Sequence, residues 1–275
     1  MNLLDRLIEK FPAASRQTLK RMVQSGRVTV NGCRAKQLKQ PVERMDAVVV
    51  HPLPRAPLDP GLGIVFEDAD ILVIDKPAGL LTSTVPRERR PTALAAVRMY
   101  LAGDRAAKVG LIHRLDREAC GLLVFSKNSA AYESLKRQFF RHSARRIYTA
   151  IVSPPPRPPQ GRIESALVEH ADGTVHRSGL HGKGQQAVTE YQTLHTRGKI
   201  AMLRVVLHTG RKHQIRAHLA GLGSPIVGDA MYGGQSHRGG LMLAAVELHL
   251  DHPRTGRRKI FRTSPPARMM ELFGE

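Results

Sequence analysis

The 275-residue sequence has no tryptophan, 4% aromatic residues and two cysteines, Cys33 and Cys120. Two cysteines this far apart cannot supply a disulfide framework or a cysteine zinc site, and they indicate a reducing compartment. No apolar stretch approaches the roughly 20 residues that cross a bilayer. The N-terminus also has no signal-peptide pattern. We therefore expect a cytoplasmic protein that does not associate with a membrane.

Acidic residues are scarce relative to basic ones. The chain has 43 lysines and arginines against 23 aspartates and glutamates, a net charge of +20. With 41% hydrophobic residues the chain can still build a folded core. Such a basic excess in a folded protein favours a polyanionic partner, and nucleic acid is the commonest one.

The first 50 residues predict a small basic α/β module. Leucines at helical spacing predict a short amphipathic helix over residues 3–8, and Ser15 is a suitable N-cap for a second helix that ends at Gly26. Residues 27–32 alternate like a strand and end in Asn-Gly, a strong hairpin signal. The basic residues near the second helix are Arg16, Lys20, Arg21 and Arg27. A solvated helix face is the alternative interpretation of such a cluster.

This segment resembles the S-four RNA-binding module in its Ser15-Arg16 helix start and its Gly26-Arg27-Val28-Thr29-Val30-Asn31-Gly32 turn. The resemblance implies that residues 1–50 bind RNA through the basic residues named above. Four prolines in residues 51–60 predict a stiff linker. We therefore expect a second domain over residues 61–275.

The second domain has an irregular order of strands and helices. Strands are predicted at 64–67, 71–75, 122–125, 145–152, 187–194, 201–207 and 241–250, helices at 91–101, 128–141 and 212–222, and a loop at 153–161. Regular β-α-β spacing is absent. The pattern predicts an α+β domain on a large, mainly antiparallel mixed sheet.

Four motifs in this domain carry charged or aromatic side chains. They are Asp75-Lys76-Pro77, His113-Arg114-Leu115-Asp116, Arg146-Ile147-Tyr148-Thr149-Ala150, and residues 209–218 followed by Gly228-Asp229-Ala230-Met231-Tyr232-Gly233. Asp116 lies between two arginines just before an apolar strand, where an unpaired charge would be costly. In this order and at these separations the motifs resemble those of the RluA-like pseudouridine synthase family, over about residues 64–250.

The resemblance implies an RNA pseudouridine synthase, an isomerase that uses neither cofactor nor metal. Asp116 would begin cleavage of the uridine glycosidic bond, as a nucleophile or through a glycal route. Tyr148 would contact the base and help remove the proton from carbon 5, and Arg216 would pair with Asp116. Arg114 would enter the RNA stack in place of the flipped uridine. The further residues expected to bind substrate are Lys76, Leu243, His113, Arg211 and Gln214.

General chemistry supports these assignments. A base that reacts must leave its stack, and a guanidinium plane can fill the gap. The chain departs from the family at Ala119-Cys120, where Thr-Ser is common, and at Ala244, where a histidine is common. The change at 119–120 is expected to affect the geometry of the loop rather than the identity of the catalytic carboxylate, and beside Ala244 we still expect Leu243 to form an apolar wall of the pocket.

Two alternatives remain open from the sequence. A non-catalytic RNA-binding or ribosome-assembly protein could use the same fold, although binding alone would not require Asp116, Tyr148 and Arg216 together. Ribosomal RNA is favoured as the partner because of the N-terminal module, with transfer RNA as the alternative, and we expect a monomer. His208, His213 and His218 recur every five residues, which places them about 140° apart on a helix and argues against a metal site.

Overall fold

The structure is a computed structural model that describes residues 1–12, 14–51, 61–84, 90–103, 107–178 and 184–274. The chain divides into two compact units, Met1–Ala56 with Tyr100–Arg105, and Pro57–Met99 with Ala106–Glu275. Apart from His51, the predicted linker lies outside the described residues. The domain limits at 50 and 61 therefore stay predictions.

Helices are short throughout the described part. The α-helices are α1 (Leu3–Lys10), α2 (Arg16–Gln24), α3 (Ala93–Tyr100), α4 (Ser129–Phe140), α5 (Gln214–Gly221) and α6 (Ala267–Met270), with 3-10 turns at Leu101–Gly103, Ala230–Tyr232 and Glu271–Phe273. The predicted helices of the larger unit lie within two residues of α3, α4 and α5. No helix in these ranges is both long enough and apolar enough to span a membrane.

Fourteen strands are present in the described ranges. They are β1 (Val28–Val30), β2 (Cys33–Arg34), β3 (Val48–Val50), β4 (Gly63–Glu67), β5 (Ile71–Lys76), β6 (Gly110–Leu111), β7 (Cys120–Ser126), β8 (Arg145–Val152), β9 (Gln160–Glu169), β10 (Val175–Ser178), β11 (Gln185–Arg197), β12 (Ile200–Leu207), β13 (Leu243–Asp251) and β14 (Arg258–Arg262).

The smaller unit has the predicted two helices and hairpin. The Ser15 hydroxyl caps α2 by accepting the N–H of Thr18. Asn31 and Gly32 both have positive φ, 51° and 80°, as a two-residue hairpin turn requires. The strands pair in the order β2-β1-β3. Both helices bury their leucines against this sheet in one apolar core.

The larger unit is built on a single eleven-stranded sheet. Its order is β10-β9-β11-β12-β8-β13-β7-β5-β4, with β14 on β13 and β6 on β7. The β13–β7 pair is parallel and the other pairs are antiparallel. The predicted α+β class with a large, mainly antiparallel mixed sheet is confirmed.

Four strands of the larger unit were not predicted, one of them the two-residue β6. β9 begins inside the expected loop 153–161. Its outward positions carry charged residues such as Arg162 and Glu164, so the apolar residues of its other face do not form a clear pattern in the sequence. Four of the five residues of β14 are partly or fully exposed. Its sequence is therefore mainly basic and does not show the apolar pattern of a strand. β10 is short and lies at the sheet edge. These strands are fixed by their neighbours in the sheet rather than by local apolar pattern.

Gly121 allows the close parallel contact at the centre of the sheet. It has φ of +108°, and a Cβ at this position would collide with the backbone carbonyl oxygen of Ala245. Its neighbour Cys120 is buried with Sγ 3.7 Å from the Leu243 carbonyl oxygen. The departure from Thr-Ser at 119–120 therefore fills this position with a small buried side chain, and β7 still meets β13.

Candidate active site

A cleft of about 910 Å³ opens in the larger unit. Its walls come from the loop before β7, from β8, from the loop and first turn of α5, and from the start of β13. The predicted site residues that line it are His113, Arg114, Asp116, Tyr148, Arg211, Gln214, Arg216 and Leu243. The structure therefore brings together side chains that are up to 130 positions apart in the chain.

The residues on either side of Asp116 are both fixed by hydrogen bonds. The Thr82 hydroxyl donates to the Leu115 carbonyl oxygen (2.7 Å) and accepts the Leu115 N–H (3.1 Å). On the other side, the Arg117 carbonyl oxygen accepts the N–H of Gly79 at 2.8 Å. These bonds hold the backbone while leaving the Asp116 carboxylate 23% exposed in the cleft. Nothing in the sequence pattern had pointed to Thr82.

Lys76 does not line the cleft, contrary to the expectation. Its side chain is completely buried, and Nζ donates to the carbonyl oxygens of Pro77 (2.9 Å), Leu80 (2.8 Å) and Arg117 (3.3 Å). Burial lowers the pKa of Lys76 to about 8, although Cys120, Asp116 and other nearby acidic groups oppose this shift. The ammonium group uses its three donors on backbone oxygens and so supports the Asp116 loop from behind.

Arg216 faces two carboxylates. Its Nη1 lies 3.5 Å from Asp116 Oδ2, which agrees with the predicted pairing. Its Nε and Nη2 each donate to a different oxygen of the buried Asp229, both at 2.7 Å. Burial lowers the pKa of Arg216, but Asp229 and Asp116 outweigh that effect and raise it above its ordinary value. Asp229, to which its sequence motif assigns no role, fixes the guanidinium plane.

His213 stands on the other side of Asp116, with Nε2 4.0 Å from Oδ1. The Tyr232 hydroxyl accepts the N–H of Val175 (2.8 Å) and lies 3.0 Å from His213 Nδ1. The hydroxyl proton is then directed at Nδ1, so we assign the proton of the neutral ring to Nε2. Burial lowers the pKa of His213, with Asp116 opposing and Arg216 reinforcing the effect. A neutral imidazole therefore directs an N–H towards the loop that carries Asp116.

Tyr148 lies at the centre of β8 and is 5% exposed. Burial raises its pKa to about 12, with Arg146 opposing and Asp116 adding to the shift. The phenol is therefore protonated at neutral pH. Leu243 opposes Ala150 across the β8–β13 pair and lines the same cleft.

Gln214 is buried, and each of its amide atoms is hydrogen-bonded twice. Oε1 accepts the Thr209 hydroxyl (2.8 Å) and the Arg211 N–H (3.0 Å). Nε2 donates to Val188 O and Thr189 Oγ1, both at 2.9 Å. All four hydrogen-bonding positions of the amide are used, so Gln214 positions the loop before α5 and its amide is not free for substrate.

His113 is 9% exposed, and its Nε2 accepts the N–H of Val124 at 3.2 Å. Burial, reinforced by Arg146, lowers its pKa to about 3, so the ring is neutral. Arg211, by contrast, is exposed at the rim, where Nε donates to the Gln186 carbonyl oxygen. Of these two residues, Arg211 is the one that presents a charged group to a substrate.

The histidines do not converge on a metal site in the part of the chain that the structure describes. His208 Nε2 lies 2.9 Å from Glu190, His213 contacts Tyr232, and His218 contacts Ser165 and Thr189. Asp68, Asp70 and His252 form a separate cluster. Its groups are already used, because Asp68 pairs with His252 (2.7 Å) and Asp70 with Arg254 (2.8 Å).

In the smaller unit Arg16, Lys20 and Arg21 are exposed on α2. Arg27 is half-buried, and its Nε donates to the His51 carbonyl oxygen at 2.8 Å. Residues 254–262 near the C-terminus form a second basic segment, in which three arginines make ion pairs: Arg254 with Asp70, Arg258 with Asp251 and Arg262 with Glu247. The α2 side chains are thus the better candidates for contacting RNA phosphates.

Known proteins are similar to this chain in sequence and in fold. The RNA pseudouridylate synthase family model matches residues 70–221, and the S4 domain model matches residues 3–48. Over 98% of its length the chain is 30% identical to an uncharacterized RNA pseudouridine synthase of Aquifex aeolicus and 32% identical to ribosomal large subunit pseudouridine synthase D of Zymomonas mobilis, covering 92% of each. Human RNA pseudouridylate synthase domain containing 4 has a TM-score of 0.62 at 26% identity, over 76% of this chain and 90% of that one. The chain therefore belongs to the RluA-like RNA pseudouridine synthases, a family of isomerases, and it carries an N-terminal S4 domain.

Proposed function

We propose that this enzyme converts specific uridines of ribosomal RNA to pseudouridine in the cleft, and that Asp116 begins cleavage of the glycosidic bond. The observation that carries the proposal is the pair Asp116–Arg216. A partly exposed carboxylate faces a substrate-sized cleft at 3.5 Å from a buried guanidinium. Because Asp229 holds that guanidinium, the cation is fixed where negative charge must be stabilised.

The reaction is a rearrangement that consumes no oxidant, reductant or co-substrate. The N1–C1′ bond of uridine breaks, the base turns, a C5–C1′ bond forms, and the proton on C5 is lost while N1 gains one. Asp116 acts at the first step, as a nucleophile at C1′ or through a glycal. In both routes the carboxylate is regenerated, so one group per site is sufficient.

We assign Tyr148 a contact with the detached base. At a pKa of about 12, roughly one phenol in 100,000 is ionised at pH 7, so free phenolate is a minor species. An aromatic ring on the cleft wall can nonetheless stack on the base, and Leu243 supplies an apolar surface beside it. Removal of the C5 proton by the hydroxyl of Tyr148 would require that its own proton leave in the same step.

Arg114 is proposed to occupy the gap that the target uridine leaves. It is exposed two residues before Asp116, on the loop that Thr82 holds. Extruding a base costs a few kcal/mol, and a planar guanidinium stacked on neighbouring bases offsets part of that cost. Lys76, which supports this loop from within, is assigned a positioning role.

Ribosomal RNA is the proposed substrate because relatives that match almost the whole chain carry large-subunit synthase names. The S4 domain with its exposed α2 cations fits a structured RNA. The cytoplasm is the proposed location, since both cysteines are free. We propose a monomer, because a single chain supplies both the cleft and the RNA-binding module.

Pseudouridine mapping across total RNA tests the proposal. Cells that lack the gene are compared with cells that express the wild type, Asp116→Asn or Asp172→Asn. Asp172 also lines the cleft and is exposed, and its carboxylate accepts hydrogen bonds from the backbone N–H and the hydroxyl of Thr174. Asp172→Asn therefore removes a carboxylate of the same cleft and is a matched control. We expect ribosomal sites that return with wild type and Asp172→Asn and stay absent with Asp116→Asn. Sites confined to transfer RNA would overturn the substrate assignment, and near-normal turnover by Asp116→Asn would overturn the catalytic one.

A further inference from the structure

Phe140 is an exposed aromatic ring on the wall of the cleft. The chain has seven phenylalanines and five tyrosines, all of them in the described ranges, and Phe140 alone is exposed, at 85%. Single exposed apolar residues are common on protein surfaces and need no explanation. Phe140 differs from them in its position, because it lines the same cleft as Asp116.

Phe140 lies at the end of a helix that is anchored by hydrogen bonds. Phe140 is the last residue of α4, and the next residue, Arg141, closes the helix by donating its N–H to the Arg137 carbonyl oxygen at 2.8 Å. The Gln138 side chain makes two hydrogen bonds of 2.7 Å with the backbone of Asp251 on β13. The backbone at Phe140 is therefore fixed, so a ligand that stacks on the ring has only the side-chain torsions of Phe140 to order.

The preceding residue, Phe139, turns inward. Its ring stacks on His113 with centroids 4.8 Å apart, and it packs against the core below. Two adjacent phenylalanines thus have different roles. Phe139 closes the core next to the His113–Asp116 loop, and Phe140 is left in solvent above it.

Arg146 gives this corner of the cleft an uncompensated positive charge. It is 8% exposed and lines the cleft, and its guanidinium lies 5.4 Å from the centre of the Phe139 ring. Nη2 donates to the Thr209 carbonyl oxygen at 3.0 Å, whereas Nε has no hydrogen-bond partner among the described residues. No carboxylate within 4.0 Å pairs with it in that part of the chain. A buried cation without an acid favours an anionic ligand.

We propose that this corner binds one nucleotide of the RNA beside the target uridine, with its base stacked on Phe140 and its phosphate facing Arg146. An unpaired nucleobase fits because stacking on an exposed ring needs no particular base edge, and the adjacent positive charge matches the backbone. The inference rests on the proposed function, since it assumes that RNA enters this cleft. It assigns a binding role to a residue outside the four sequence motifs.

The absence of tryptophan from the chain allows a direct test. In Phe140→Trp, the only indole of the full-length protein sits at the proposed site. Leu194→Trp is the matched control, because Leu194 is 45% exposed on β11 and does not line the cleft. Each variant is titrated with a short oligouridylate and with an unmodified large-subunit ribosomal RNA transcript. We expect quenched indole emission for Phe140→Trp and unchanged emission for Leu194→Trp.

Affinity for the same two RNAs provides the second measurement. Loss of one base–aromatic stack predicts that Phe140→Ala binds about 5- to 150-fold more weakly, while Phe140→Trp binds like wild type. Two results would overturn this inference alone, provided that wild type still forms pseudouridine. One is that Phe140→Ala binds RNA like wild type. The other is that bound RNA leaves the emission of Phe140→Trp unchanged. Wild type that neither binds RNA nor forms pseudouridine would overturn the proposed function and this inference together.

Discussion

The Asp229 carboxylate accepts two hydrogen bonds from the Arg216 guanidinium, Nε to Oδ2 and Nη2 to Oδ1, each 2.7 Å long. This bidentate geometry leaves Nη1 as the group that faces Asp116 at 3.5 Å. The ring of Tyr232 lies 5.0 Å from the guanidinium carbon and covers its face. Arg216 is thus held from two directions before any substrate arrives.

Asp229→Asn should weaken this arrangement. The amide keeps the shape of the side chain but removes the charge that compensates a buried arginine, so we expect a loss of about 3 kcal/mol in the free energy of unfolding. Turnover should fall at least tenfold, because Asp229 no longer holds the Arg216 guanidinium in place and the side chain can turn towards Asp116. Denaturant unfolding and single-turnover assays measure the two effects. Asp251→Asn, which breaks the exposed pair with Arg258, is the control and should change stability by less than about 1 kcal/mol.

Lys76→Met should destabilise the protein and reduce activity without removing any group from the cleft wall. The thioether has a similar length but leaves the carbonyl oxygens of Pro77 and Leu80 without the Lys76 donor, whereas the Arg117 carbonyl oxygen keeps the N–H of Gly79. Each buried acceptor left unpaired costs about 1 kcal/mol or more, so we expect a loss of about 2–4 kcal/mol. Lys136→Met, on the exposed face of α4, is the matched control. Equal stability of the two variants would contradict the role given to Lys76.

Mild acid should destabilise the fold through its buried histidines. His113 and His218 have pKa values lowered to about 3 and about 4, mainly by burial. The unfolded chain binds protons at these positions below about pH 6.5, whereas the folded chain does so only near the lowered values. The stability that they provide is therefore complete above pH 6.5 and falls as the pH drops below it. Each residue accounts for up to about 1.4 kcal/mol per pH unit.

Urea unfolding between pH 7 and pH 5 measures this dependence. His218→Gln should make the slope of stability against pH shallower, whatever its effect on stability at pH 7. His195→Gln changes an exposed histidine on β11 and should leave the slope as it is. A slope that is identical in all three proteins would show that the buried rings do not control acid sensitivity.

The exposed cations of α2 should contribute to RNA affinity by neutralising phosphates. Replacing Arg16, Lys20 and Arg21 by glutamine should weaken RNA binding and flatten its salt dependence. The slope of log K against log salt concentration should fall by about 0.7 to 0.9 for each phosphate that the variant no longer neutralises. Gln17→Ala with Gln24→Ala changes the same exposed helix without changing charge, and should preserve the slope. An unaltered slope in the triple variant would argue against RNA binding at this face.

Local signals determined much of the architecture. The Ser15 cap, the Asn31-Gly32 hairpin turn and the apolar strand that follows Asp116 result from backbone preferences that act over a few residues. The motifs that contain Asp116, Tyr148 and Arg216 were indicated by their resemblance to those of the RluA-like family, and the residues themselves added that a carboxylate between two arginines beside an apolar strand needs a partner. Polar strands such as β9 and β14 escaped prediction since neighbouring strands, and not their own residues, stabilise them.

By itself, therefore, the sequence determined the α+β class, the basic N-terminal module and the motifs that meet at the cleft. Only the tertiary structure decided which side chains face the cleft and which support it. Lys76 and Gln214 were expected to contact substrate, yet their polar atoms are used inside the protein. Thr82, Asp229 and Phe140 gained roles because strands distant in the chain bring them to one place. The direction in which a side chain points and the groups that it contacts depend on residues tens of positions away in the chain. A pattern along the sequence does not contain that information.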